Sequence, residues 1–140
     1  MQKKKKVLFL CTGNSCRSQI AEAIVNDRLG DKWDACSAGT HPASEVHPLA
    51  VRVLREIRIT HEGTPRAVEE FRSVPFDLVV TVCDQAAEEC PVWLGDGKKV
   101  HRGFIDPAAA VGSEEQLLAV FRRVRDEILE VVPALLDKMA

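Results

Sequence analysis

Two short, almost unbroken apolar runs constrain this chain more than any other feature: residues 7–10 (Val-Leu-Phe-Leu) and 78–82 (Leu-Val-Val-Thr-Val). Runs this short, rich in branched side chains and lacking polar alternation, fit strands buried on both faces of a parallel sheet. Parallel strands need long crossovers, and helical patterns lie between them. Residues 19–29 place Ile20, Ala23, Ile24 and Leu29 on one face, and residues 48–57 do the same with Leu49, Val53, Leu54 and Ile57. Residues 113–136 carry a stripe of Leu117, Val120, Phe121, Val124, Ile128, Val131 and Leu135. That segment opens with the capping-box pattern Ser113-x-x-Gln116, and Pro133 is expected to kink or fray its last turn. Weaker strand patterns at 33–37 and 99–102, a short acidic helix near 68–71 and another at 84–89 complete the alternation. The order predicts a single α/β domain over residues 1–140, an open three-layer sheet with right-handed crossovers.

Composition narrows the function classes. A chain of 140 residues with 46% hydrophobic and 29% charged side chains is neither disordered nor fibrous. A net charge of -2 gives no global field for nucleic acid or an acidic membrane, so a bound anion needs a local site. The run Lys3 to Lys6 precedes only four apolar residues, too few for a signal peptide, and the chain is expected to be cytoplasmic and monomeric. Five cysteines, at 11, 16, 36, 83 and 90, form neither an even disulfide framework nor the tight pairs of a zinc site.

In open parallel sheets ligands bind beyond the carboxyl ends of the strands, where loops lead into helix amino termini. Three reactive side chains fall at that edge: Cys11 after the first run, Cys83 after the second, and Asp106 after the weak strand at 99–102. The loop Cys11-Thr12-Gly13-Asn14-Ser15-Cys16-Arg17-Ser18 must curl tightly to join a buried strand to a helix. Gly13 and Asn14 both tolerate positive φ, which lets successive N–H groups converge on one point as an anion nest. Arg17 can fork onto two oxygens of a tetrahedral oxyanion held there, and Ser18 can donate to the Cys11 thiolate.

Residues 11–18 resemble the phosphate-binding loop of the low-molecular-weight protein tyrosine phosphatases and of the arsenate reductases that share their fold. The form C-T-G-N-S-C-R-S-Q followed by Ala21-Glu22 is most similar to the thioredoxin-coupled arsenate reductases. The likeness continues through Ser37-Ala38-Gly39-Thr40, Thr81-Val82-Cys83, Cys90-Pro91 and Gly103-Phe104-Ile105-Asp106-Pro107. It implies four parallel strands in the order 2-1-3-4 flanked by helices, with Cys11 and Cys83 on neighbouring strands. Cys83 and Cys90 match the Cys-x6-Cys spacing of the reductases. Phosphatases of this fold usually carry tyrosines after the catalytic Asp-Pro, whereas Asp106-Pro107 runs into three alanines and the chain has no Tyr.

The resemblance implies that Cys11 attacks arsenate held by Arg17 and the N–H groups of Thr12, Gly13, Asn14, Ser15 and Cys16, with Asp106 as general acid. Cys83 then takes the oxidation from Cys11, Cys90 takes it from Cys83, and external thioredoxin reduces the last disulfide. A helix over 84–89 would hold Cys83 and Cys90 roughly 10 Å apart, beyond disulfide reach, so that segment is expected to unwind or loop outward. Asn14 and Glu22 match two positions of a potassium site in some of these reductases. Cys16 and Cys36 read as buried structural residues, His41, His47, His61 and His101 as surface or structural ones, and Trp33 and Trp93 as packing residues, with Trp93 also placed to meet a reductant. Two other readings stand beside this one: a phosphatase of small phosphoesters or phosphoproteins with a protective cysteine pair, and a non-catalytic redox or oxyanion sensor.

Overall fold

A computed structural model describes residues 3–84, 93 and 95–139. The first apolar run extends into β1 (Lys5–Cys11), which is followed by α1 (Arg17–Arg28), β2 (Trp33–Gly39) and α2 (Pro48–Glu56). A 3-10 turn at Val68–Phe71 precedes β3 (Leu78–Thr81) and β4 (Lys98–His101). A second 3-10 turn at Pro107–Ala109 leads into α3 (Glu114–Met139). All strand pairs are parallel and the order is β2-β1-β3-β4, as the resemblance implies.

β1 lies at the centre because both its faces are apolar. Val7 and Phe9 point into a cluster with Ile20 and Ile24 of α1, Val53 and Leu54 of α2, and Phe121, Ile128 and Leu136 of α3. Leu8 and Leu10 point the other way, into a smaller cluster with Val68, Phe76, Val79 and Trp93. Trp93 packs edge-on against Phe76 at 5.8 Å and donates its indole N–H to the Asp96 carbonyl, so it serves packing as expected.

Helix boundaries follow local chemistry. α2 opens with Pro48 at its first position, and His47 caps it by accepting the Leu49 N–H on Nδ1, a cap the sequence reading did not assign. α3 begins with the predicted box: the Ser113 N–H donates to Gln116 Oε1 at 2.8 Å and the Gln116 N–H to Ser113 Oγ at 3.2 Å. Two expectations for α3 change. The helix continues past Pro133 to Met139, because Val132 and Leu136 on either side are fully buried and hold the last turns against the core. The buried stripe is Leu118, Phe121, Val124, Ile128, Val132 and Leu136, while Leu117, Val131 and Leu135 are only half-buried. Residues 85–89 of the predicted helix at 84–89 lie outside the described residues, and Asp84 is not helical.

Candidate active site

Residues 11–18 form a closed cup at the carboxyl end of β1. Asn14 adopts φ 50°, the left-handed conformation the nest needs. Gly13 is not at positive φ, which corrects the expectation for that residue: Asn14 alone makes the turn.

The cup faces inward because its carbonyls are tied outward. The Thr12, Gly13 and Ser15 carbonyls accept the N–H groups of His41, Ala43 and His47, each at 2.9 Å. The Asn14 carbonyl accepts the Gln19 side-chain amide at 3.1 Å. In a trans peptide the N–H points opposite to the preceding C=O. The four N–H groups of Gly13, Asn14, Ser15 and Cys16 therefore turn toward the inside of the cup. Residues 41–47, which carry no chemistry of their own, orient the nest by holding its back. Gly39 allows this, since a Cβ there would collide with the Thr12 carbonyl.

Cys11 is 2% exposed and its thiol is free. Its Sγ receives the Asn14 N–H at 3.2 Å and lies 2.8 Å from Ser18 Oγ. The proton on that hydroxyl can be assigned. Asn14 Oδ1 accepts from the Arg66 N–H at 2.8 Å, so Asn14 Nδ2 is the atom facing Ser18 Oγ, at 2.8 Å. Ser18 Oγ accepts from Asn14 and gives its own proton to the sulfur, as the sequence reading expected of Ser18. Two hydrogen-bond donors therefore converge on the Cys11 sulfur.

Arg17 is 3% exposed. Its guanidinium donates to the Phe104 carbonyl at 3.2 Å and stands 3.8 Å from Asp106 Oδ2, linking the cup to the segment after β4. Asp106 Oδ1 accepts the Ala108 N–H at 3.0 Å, which turns Oδ2 toward Arg17. The Asp106 side chain is 37% exposed, so water reaches it.

Cys83, fully buried after β3, joins Cys11 and Cys16 in the main core cluster. It is disulfide-bonded, whereas Cys11, Cys16 and Cys36 are free; its partner lies outside the described residues, as does Cys90. Cys16 is 3% exposed and burial pushes its thiol up to about 12, in keeping with its reading as a buried structural residue of the loop. Cys36, expected to be buried, is only half-buried against the smaller cluster, and burial raises its thiol.

The potassium positions fit a cation poorly. Asn14 Oδ1 is already taken by the Arg66 N–H and by Gln19 Nε2 at 3.2 Å. Glu22 Oε1 accepts the Ser37 hydroxyl at 2.9 Å, so this oxygen too already has a partner. Sequence reasoning missed Gln19, which it assigned only to a helix, and the pairing of Gln19 with His61. The one available signal was the position of Gln19 directly after the loop.

The model of the family described as low molecular weight phosphotyrosine protein phosphatase matches residues 6–140. This chain belongs to that family. It is 50% identical over 126 residues to an arsenate reductase of Halalkalibacterium halodurans, covering 89% of this chain and 90% of that one. Among solved structures it is similar to an arsenate reductase in a phosphate-binding state, with a TM-score of 0.77, 29% identity, and 97% and 99% of the two chains covered. It is also similar to a thioredoxin-dependent arsenate reductase of Corynebacterium glutamicum, with a TM-score of 0.66, 25% identity, and 95% and 62% covered.

Proposed function

We propose that this enzyme reduces arsenate to arsenite through Cys11, Cys83 and Cys90, with a thioredoxin as the reductant. The observation that carries the reading is the pairing of oxidation states at adjacent strand ends: a free Cys11 inside the nest and a disulfide-bonded Cys83 in the same buried cluster. Phosphate-ester hydrolysis needs only the first for its chemistry, whereas a relay of oxidation needs both. The relatives named arsenate reductase, one of them seen in a phosphate-binding state and one thioredoxin-dependent, support the same reading.

The four loop N–H groups and Arg17 hold the oxygens of arsenate while the Cys11 thiolate attacks arsenic. Asp106 gives a proton to the departing oxygen, which leaves as water, and a Cys11–arsenic bond remains. The Cys83 thiolate attacks Cys11 Sγ. The sulfur–arsenic electron pair stays on arsenic, As(V) becomes As(III), and arsenite departs as the Cys11–Cys83 disulfide forms. Cys90 attacks Cys83, Cys11 leaves as thiolate, and the dithiol of thioredoxin reduces the Cys83–Cys90 disulfide. Beside Cys83 a cleft of about 580 Å³, lined in part by Asp84, His101, Phe104, Ile105 and Arg123, gives such a partner room to approach. The absence of any Tyr leaves no aromatic wall after Asp106-Pro107 for a phosphotyrosine ring, which favours a small bare oxyanion.

The test is arsenate-dependent oxidation of a reduced thioredoxin and thioredoxin reductase couple. The reading predicts one NADPH consumed per arsenite formed. Hydrolysis of aryl phosphates with no arsenate-dependent NADPH loss would replace it with the phosphatase reading, and neither activity would leave the sensor.

A further inference from the structure

Three of the four outward-turned carbonyls of the cup are held by backbone N–H groups, and among the described residues the fourth, that of Asn14, is held by a side chain. That side chain is Gln19, which is 1% exposed. Its Nε2 lies 3.1 Å from the Asn14 carbonyl, 3.2 Å from Asn14 Oδ1 and 3.4 Å from the Thr64 carbonyl. One amide nitrogen facing three oxygens is the donor arrangement of a small cation site with the amide inside it. The orientation is fixed by the neighbours, because a flipped amide would set Oε1 against all three oxygens.

Gln19 Oε1 in turn lies 2.7 Å from His61 Nε2. An amide oxygen has no proton to give, so His61 carries its proton on Nε2 and donates it. The chain leaves space for this pair: a Cβ at Gly63 would land on both His61 Nε2 and Gln19 Oε1. Ser37 bonded to Glu22 on one side and the Arg66 N–H on Asn14 on the other close the surroundings.

We infer that Gln19, oriented by His61, is a positioning residue that fills the oxygen cradle behind Asn14 and keeps the oxyanion loop in its binding shape with no bound potassium. The inference rests on the reading of residues 11–18 as an oxyanion site, and it goes beyond that reading in making Gln19 and His61 the internal replacement for a cation. Gln19 reaches Cys11 only through Asn14 and Ser18, so it acts on loop geometry and not on the reacting atoms.

The experiment is calorimetric binding of inorganic phosphate to the reduced protein at alkaline pH, in potassium chloride and in tetramethylammonium chloride of equal ionic strength. Phosphate binding requires no cysteine redox chemistry, so failure of the arsenate assay and failure of this test are distinguishable. Wild type should bind equally in both salts, within about twofold. Gln19→Glu keeps the shape but sets an oxygen against three oxygens. It should lose about 10- to 100-fold in tetramethylammonium, the usual loss when a supporting group behind a site is removed. Potassium should restore most of that loss, a rescue that a merely structural defect would not show, and thermal melts verify that the variant is folded. Gly63→Ala, which displaces the pair, should weaken phosphate in both salts. Clear tightening of wild-type binding by potassium would overturn the inference and needs no variant to fold; so would equal binding by Gln19→Glu in both salts.

Discussion

The two halves of the site are built differently. The half on β1 and α1 is buried and densely hydrogen-bonded: Asn14 and Ser18 have no exposure, Cys11, Arg17 and Gln19 have 3% or less, and each makes at least one hydrogen bond, although Arg17 Nε is buried without one among the described residues. The half at the ends of β3 and β4 is thinner. β4 is an edge strand with Lys98, Lys99 and His101 exposed, Ile105 is 51% exposed, and the Asp106 carboxylate accepts the Ala108 N–H and stands in a long ion pair with Arg17. Binding a tetrahedral anion requires donors that do not move, whereas passing protons and electrons outward requires groups within reach of solvent and a partner. Rigid donors are thus concentrated in the first half, and the side chain of Asp106 in the second is one that solvent reaches.

The largest effects should come from the buried half. Cys11→Ser and Arg17→Ala should each abolish arsenate reduction together with any phosphatase activity, since both reactions begin with attack on the same bound oxyanion. Assays of both activities check this, and retention beyond a few per cent in Cys11→Ser would remove Cys11 as nucleophile. In the exposed half, Asp106→Asn should slow adduct formation about 10²- to 10⁴-fold and leave phosphate affinity near wild type. Parallel loss of affinity and rate would erase the division between the halves.

Stability should divide in the same way. Phe9→Ala removes a side chain with no exposure between α1, α2 and α3 and should cost about 3–5 kcal/mol in urea denaturation. Val100→Ala on β4, where the valine is half-buried, should cost about 1 kcal/mol. The smallest effect belongs to Cys16. Its thiol, pushed up to about 12 by burial, stays protonated at neutral pH, and its contribution to the nest is a backbone N–H that alanine keeps. Cys16→Ala should therefore reduce arsenate at close to the wild-type rate.

Legibility in the sequence did not follow this division. The apolar runs revealed β1 and β3 because a strand buried on both faces has no reason to carry polar residues, and a cysteine directly after each run marked the edge where ligands bind. The nest was legible through Asn14, whose side chain tolerates positive φ, but Gly13 was misread because glycine permits that conformation without adopting it. The supports behind the nest were not legible. His41, Ala43 and His47 act through backbone N–H groups, which leave no trace in side-chain identity. Gln19 and His61 are 42 positions apart, and only the fold brings them together. The stripe of α3 was right at Phe121, Val124 and Ile128 and displaced by one residue at both ends, because Leu117 and Leu118, like Val131 and Val132, are adjacent pairs whose members periodicity alone cannot rank.

The most direct test of the account is the fate of the thiols after one turnover. Reduced protein is given one equivalent of arsenate without thioredoxin, quenched in acid, alkylated and mapped by mass spectrometry. The wild type should release about one arsenite per protein and carry Cys83 linked to Cys90 with Cys11 alkylated, while Cys90→Ser should stop with Cys11 linked to Cys83. Sustained thioredoxin-driven turnover by Cys83→Ser and Cys90→Ser, or arsenite release that leaves all three thiols alkylated, would contradict the relay.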